Sequence, residues 1–171
     1  MDDILHRDAE PGDAAALADL FAETFRETFG HMYQPADLNA FLAGHGVAQW
    51  AEQLRDPAIA VRLAERDGRA VGFTKLGSVK LPVEPAGAAL EVRQFYVAPE
   101  VRGSAVAPAL MEWLLHEARA RGAEELYLSV YTDNVRAQRF YARYGFVAVG
   151  PCVFMVGNQA DEDIIMKAPL A

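Results

Sequence analysis

Between residues 90 and 145 the hydrophobic period changes again and again, and each change is punctuated. "LEVRQFYVA" alternates as a strand, and an amphipathic segment runs from the loop "PEVRGSAVAP" to about Arg121, where Gly122 stops it. "ELYLSVY" alternates as a second strand, and "NVRAQRFYARYG" is a second helix closed by Gly145. A strand–helix–strand–helix run buries its strands only in a sheet that helices cover, so the chain is α/β. With 171 residues, 52% hydrophobic and 23% charged, it reads as one soluble domain over residues 1–171.

The first half is rich in hairpin signals. "ILHR" (4–7) reads as a short strand. Leu17, Leu20, Phe21, Phe25 and Phe29 then mark one helical face, with Asp13 as N-cap and Gly30 as stop. Two short helices, "PADLNAFLAG" and "VAQWAEQLRD", precede strands on either side of Asp67-Gly68, the strongest hairpin signal in the chain. The tail, "FVAVGPCVFMVG" and "DIIMKAPL", reads as paired strands. The whole implies a mixed sheet covered by helices.

Charge and composition exclude several classes. No apolar run reaches the roughly 18 residues of a membrane span. The N-terminus is acidic and lacks an apolar core, so no secretory signal is expected; with Cys152 as the one cysteine, a cytoplasmic home fits. Cys152 reads as a small core residue. Net charge is −8 and no basic stripe is present, which makes nucleic acid a poor partner. Residues 1–69 carry 13 acids against 6 arginines, and residues 70–171 carry 11 against 10. That imbalance suits a cationic ligand at one side and an anionic one at the other, or serves solubility. No His/Cys cluster suggests a metal, and no Gly-x-Ser-x-Gly elbow suggests a serine hydrolase.

The loop "VRGSAVAP" carries the first functional signal. With Ser104 as N-cap, Pro108 falls at the fourth helical position and breaks a bond. With Pro108 as first helical residue, residues 102–107 present up to six consecutive N–H groups at a positive helix end, with Arg102 adding charge. Such a loop cradles a phosphate provided that Ala105 keeps a negative φ. It is neither a nucleotide P-loop nor a dinucleotide fingerprint.

The two segments "FYVAPEVRGSAVAPALM" and "LYLSVYTDNVRAQRFYARYGFVAVG" together resemble the cofactor-binding segments of the GNAT acyltransferase superfamily, in order and spacing. The family's loop pattern is Gln/Arg-x-x-Gly-x-Gly/Ala; Arg102, Gly103 and Ala107 follow it, and Ala105 departs from it. "ETFRETFGHMYQPADLNAFL" and "VFMVGNQADEDIIMKAPL" further resemble the PaiA-type polyamine acetyltransferases.

The resemblance implies a mostly antiparallel mixed sheet with splayed central strands and helices on both faces. It also implies acetyl transfer from acetyl-CoA to a primary amine by direct attack in a ternary complex. The acceptor would be a small amine, a polyamine first, or alternatively an amino acid, a drug or a protein N-terminus. A catalytically silent acyl-CoA-binding module is the rival, and a homodimer is left open. Acetyl-CoA would pair with the backbone of Phe95, Tyr96 and Val97 and rest its pyrophosphate on Arg102, Gly103, Ser104, Ala105, Val106 and Ala107. Asn134 would bond the pantetheine arm or cap the last helix. Tyr141 would sit near the CoA sulfur or pack in the core. Glu91 would be the base, or a solvated residue paired with Arg93. Alternation places Glu91 with Arg93, Phe95 and Val97 unless a bulge intervenes. His31, Tyr33 and Asp37 would face the acceptor amine.

Overall fold

The computed structural model describes residues 3–170. Seven strands form one sheet in the order β1-β2-β3-β4-β5-β7-β6. They are β1 (Ile4–Asp8), β2 (Ala60–Arg66), β3 (Arg69–Gly77), β4 (Ala89–Val97), β5 (Glu125–Tyr131), β6 (Val147–Val156) and β7 (Gln159–Pro169). Every neighbouring pair is antiparallel except β4 and β5. The helices are α1 (Ala14–Phe29), α2 (Pro35–Ala43), α3 (Val47–Leu54), α4 (Val106–Ala120) and α5 (Val135–Ala142).

Helices cover both faces. On one, α1 buries Leu17, Leu20, Phe21 and Phe25, and α3 inserts Trp50 edge-on against Phe73, with ring centroids 5.2 Å apart. On the other, α4 buries Leu110, Met111, Leu114 and Ala118. Gly72 lies under α4, where an added Cβ would meet Val106 at 3.1 Å. Full burial of side chains of this size contributes about 1.5–3 kcal/mol each. The Asp67-Gly68 turn has φ of 53° and 75°, the two-residue hairpin geometry that the dipeptide signals.

Two departures from local periodicity position the site. The parallel pairing of β4 and β5 stops at Glu91 and Tyr127, so residues 92–97 and 128–131 diverge with unpaired backbone edges. A bulge also interrupts β4: Lys75 opposes Gln94 while Leu76 opposes Val92, which leaves Arg93 as the extra residue. That insertion overturns the simple alternation. Glu91 shares the face of Gln94 and Tyr96, toward α1 and α3, and Phe95 and Val97 face the other way.

Candidate active site

The diverging strands open a cleft of about 590 Å³, within the range of small-molecule sites. Residues 92–97 of β4 form one wall and residues 128–131 of β5 the other, while α5 and the loop before α4 close one end.

That loop is less generous than six donors. Helix α4 begins at Val106 with Ala105 as N-cap, so Pro108 is the third helical residue, neither the first nor the fourth. Its missing N–H costs nothing, because the first intrahelical bond is made by Ala109 to the Ala105 carbonyl at 3.1 Å. The amides of Arg102, Ser104 and Val106 are taken by the Pro99 carbonyl, the Val101 carbonyl and Ser104 Oγ respectively. The amides of Gly103, Ala105 and Ala107 have no protein partner among the described residues. Gly103 has φ +75°, and Ala105 has φ −76°, which its Cβ tolerates. The side chains of Ala105 and Val106 do not line the cleft; Val106 is in the core.

Arg102 lines the cleft, but its guanidinium is committed. It donates to both Glu27 oxygens, at 3.1 and 2.7 Å, and to the Val97 carbonyl. The ion pair draws the Glu27 carboxyl below its usual range. The cations that line the cleft without an ion pair among the described residues are Arg136 and Arg143, both on or just beyond α5. Sequence reasoning passed over them because a helix face of arginines ordinarily reads as solvated.

Asn134 caps α5, its Oδ1 accepting from the Ala137 amide at 3.3 Å, and it also lines the cleft with its amide nitrogen unused. Tyr141 packs edge-on to Phe95 and lines the cleft, with no partner for its hydroxyl among the described residues. Burial holds its phenol well above the ordinary value. Tyr96, between Phe21 and Phe73, is held up likewise, with Tyr141 and Asp163 adding to the effect of burial.

Glu91 does not line the cleft. Its Oε1 accepts the amides of Lys80 and Leu81 at 2.8 and 3.1 Å, and Arg93 Nε lies 3.6 Å from Oε2. The carboxylate fastens the β3–β4 loop. Among the acceptor-end candidates, His31 is exposed and outside the cleft. Asp37 accepts the Asn158 amide at 2.9 Å and so clamps the β6–β7 turn. Gly157 in that turn needs its φ of +57°, and a Cβ there would come within 2.6 Å of the Asp37 backbone. Tyr33 alone of the three lines the cleft.

Tyr33 leads to the groups that sequence reasoning missed. Its hydroxyl donates to Asp161, whose other oxygen accepts from Gln159 Nε2 at 3.3 Å. Asp161 and Asp163, both buried, occur two apart on β7 and line the cleft. Burial, with Asp161 nearby, pushes the Asp163 carboxyl up to about 6, partly offset by a hydrogen bond from Ser129. The burial drives Tyr33 up as well, and the Asp161 hydrogen bond adds to it. In the sequence "GNQADEDIIM" Asp163 opens the last strand and Asp161 is one of several acids before it, and neither is marked as a site residue. The signal was the spacing: Asp161, Asp163 and Ile165 share one strand face, and Ile165 is core.

Splayed strands, free amides at the start of a 15-residue helix and a capping Asn also occur together in a known family. The family model described as "Acetyltransferase (GNAT) family" matches residues 14–146. The chain is a member of the GNAT acetyltransferase family. It is an N-acetyltransferase, with acetyl-CoA as cosubstrate. It is 34% identical over 159 residues to an N-acetyltransferase of Mycobacterium tuberculosis described as uncharacterized, covering 92% of this chain and 98% of that one. It is 34% identical over 110 residues to the aminoalkylphosphonate N-acetyltransferase of Salmonella typhimurium, covering 64% of this chain and 68% of that one. The crystal structure of the PaiA N-acetyltransferase of Thermoplasma acidophilum in complex with coenzyme A superposes with a TM-score of 0.80 at 17% identity, covering 98% and 99% of the two chains. That last likeness is one of fold. The open strand edges and the three free amides fit the cosubstrate, and among the described residues no group of His, Cys, Asp and Glu could hold a metal. No helix of the described residues is long and apolar enough to cross a membrane.

Proposed function

We propose that the chain acetylates a small cationic amine in the cytoplasm, with a polyamine as the first acceptor to test. The carrying observation is the buried pair Asp161 and Asp163 in the cleft. Two carboxylates removed from water at one wall favour a cation there, and neither has a Lys or Arg partner among the described residues.

The roles divide between the two acids. Asp161, fixed by Tyr33 and Gln159, holds positive charge. Asp163 takes the proton. An amine with a pKa of ~10.4 is neutral in only about one molecule in a few thousand at pH 7, so a base is required. A carboxyl at about 6 is ionised at neutral pH, yet basic enough to accept a proton as the N–C bond forms.

Acetyl-CoA supplies an acyl thioester whose sulfur leaves as the amine attacks directly. The unpaired edge of β4 at Phe95 to Val97 supports binding of the pantetheine arm as an added strand and polarisation of the acyl oxygen by backbone N–H. The amides of Gly103, Ala105 and Ala107, with Arg136 and Arg143, favour the phosphates, and the free amide nitrogen of Asn134 serves the arm. Tyr141, held protonated by burial, donates a hydrogen bond to the departing sulfur. Proton transfer from it is uphill, because an ordinary phenol already stands about 1.5 units above a thiol and burial adds to that gap.

The test is a calorimetric titration with acetyl-CoA, followed by spermidine in the same cell and an assay for free thiol. Micromolar binding followed by thiol release in the wild type, with release lost in Asp163→Asn, is expected. Undiminished release by Asp163→Asn would remove Asp163 as the base. Release with neutral amines but not with diamines would remove the cationic acceptor.

A further inference from the structure

A second cavity, of about 520 Å³, lies on the α3 side of the sheet. Its lining includes four cations, Arg55, Lys75, Lys80 and Arg93, against two acids, Glu52 and Asp56. In a chain of net charge −8 this is a local reversal of sign.

Lys75 is the informative member. It sits near the C-terminal end of β3, 5% exposed, with its ammonium 4.1 Å from the centre of the Trp50 ring and bonded to the Gln53 side-chain oxygen. No carboxylate pairs with it among the described residues. A buried ammonium held only by an amide oxygen and an aromatic face is incompletely compensated. Its neighbours make matters worse: burial first, then Arg93 and Lys80, depress it to about 7. Arg93 is held in the bulge by the Ser78 carbonyl at 2.8 Å and by Glu91, which leaves its Nη2 without a partner among the described residues. Lys80 and Arg55 are exposed and carry no ion pair among those residues.

We propose that this second cavity binds a small oxyanion, sulfate-, phosphate- or carboxylate-like, between Lys75, Arg93 and Lys80. The anion supplies the negative charge that the fold withholds from Lys75. It stands independently of the acceptor assignment, because Lys75 does not line the catalytic cleft; Arg93 lines both. The anion draws Lys75 into its charged form, so binding takes up a proton, increasingly as pH rises above about 7. The other charged groups near Lys75 are Glu52, Arg55 and Asp56 at the end of α3, His45 before it, Lys80 in the loop, and Glu91 and Arg93 on β4.

The test is calorimetry of sulfate into enzyme saturated with coenzyme A, so that the amides before α4 are occupied, with chloride of equal ionic strength as control. Sulfate keeps its charge across the range, so proton uptake reports the protein; it is read by comparing buffers of different ionisation enthalpy at pH 6 and pH 8. A Kd of about 1 mM or tighter is expected, with more proton uptake at pH 8. Lys75→Met should weaken binding about tenfold or more, and Lys80→Gln, at an exposed position, about threefold. Inorganic phosphate and succinate then decide between a tetrahedral and a carboxylate ligand. No heat beyond the chloride control, or wild-type affinity in Lys80→Gln together with Arg55→Gln and Lys75→Met, overturns the proposal. Should Lys75→Met fail to fold, the two surface variants and the proton uptake decide it.

Discussion

At the proposed phosphate end of the cleft the backbone groups come from one continuous stretch, residues 102–108, joined by two arginines of one neighbouring segment, Arg136 and Arg143. At the proposed acceptor end Tyr33, Asp161 and Asp163 come from two distant parts of the chain, and all of the chemistry is side chain. A backbone donor survives most substitutions, provided φ is right. A carboxylate does not survive its own replacement. The first end should therefore tolerate sequence change, Ala105 and Pro108 leaving the helix start intact, and the second should be brittle.

The largest expected effect lies at the brittle end. Asp163→Asn should lower kcat by about 100-fold or more and remove the limb of the pH–rate profile near 6, below which the wild type loses activity as the carboxyl is protonated. The same change should raise stability at neutral pH. The folded-state value lies above the unfolded one, so the native state binds the extra proton between about 4 and 6, and the stability this provides is lost as pH rises through 6. A melting series at pH 5 and pH 8 reads it: variant and wild type converge at the lower pH and separate at the higher. Unchanged turnover together with unchanged melting would dissolve the contrast between the two ends.

Tyr141→Phe comes next. Loss of one hydrogen bond to a developing negative charge should reduce kcat about 10- to 100-fold, with binding of coenzyme A nearly unaltered. An equal loss in affinity would make the phenol a binding group. Glu91→Gln sharpens the comparison from the other side. Its carboxylate serves two loop amides, so the variant should lose about 1 kcal/mol of stability and keep the wild-type pH profile in a turnover assay. Smallest of all, Ala105→Gly should change coenzyme A affinity less than about twofold, since a φ of −76° suits either residue.

Local patterns carried most of the fold. The period-2 runs became strands, the Asp67-Gly68 turn joined two of them, and the stops at Gly30, Gly122 and Gly145 fell at or just beyond the helix ends. The helix start does not follow so simply: local rules allow Pro108 as the first or fourth helical residue, and it is the third. In the candidate site, the position of the loop and the helix cap of Asn134 were legible because each depends only on neighbouring residues in the chain. Glu91 was not, because one extra residue at Arg93 inverts which face a side chain takes, and a bulge leaves no mark in the period of so short a strand.

By itself, then, the sequence determined the order of elements, the layered α/β class and the loop that meets the helix start, since these follow from hydrophobic period, glycine and proline within a few residues. Tertiary structure alone decided which carboxylates line the cleft. In sequence Asp163 opens the last strand and Asp161 is one acid among several, with nothing to bring them to a cleft until the β6–β7 hairpin folds back on the segment around Tyr33; Glu91 is a candidate base whose carboxylate the fold gives to two loop amides. Burial is the physical reason: it raises the Asp163 carboxyl to about 6, and that burial is made by residues far away in the chain.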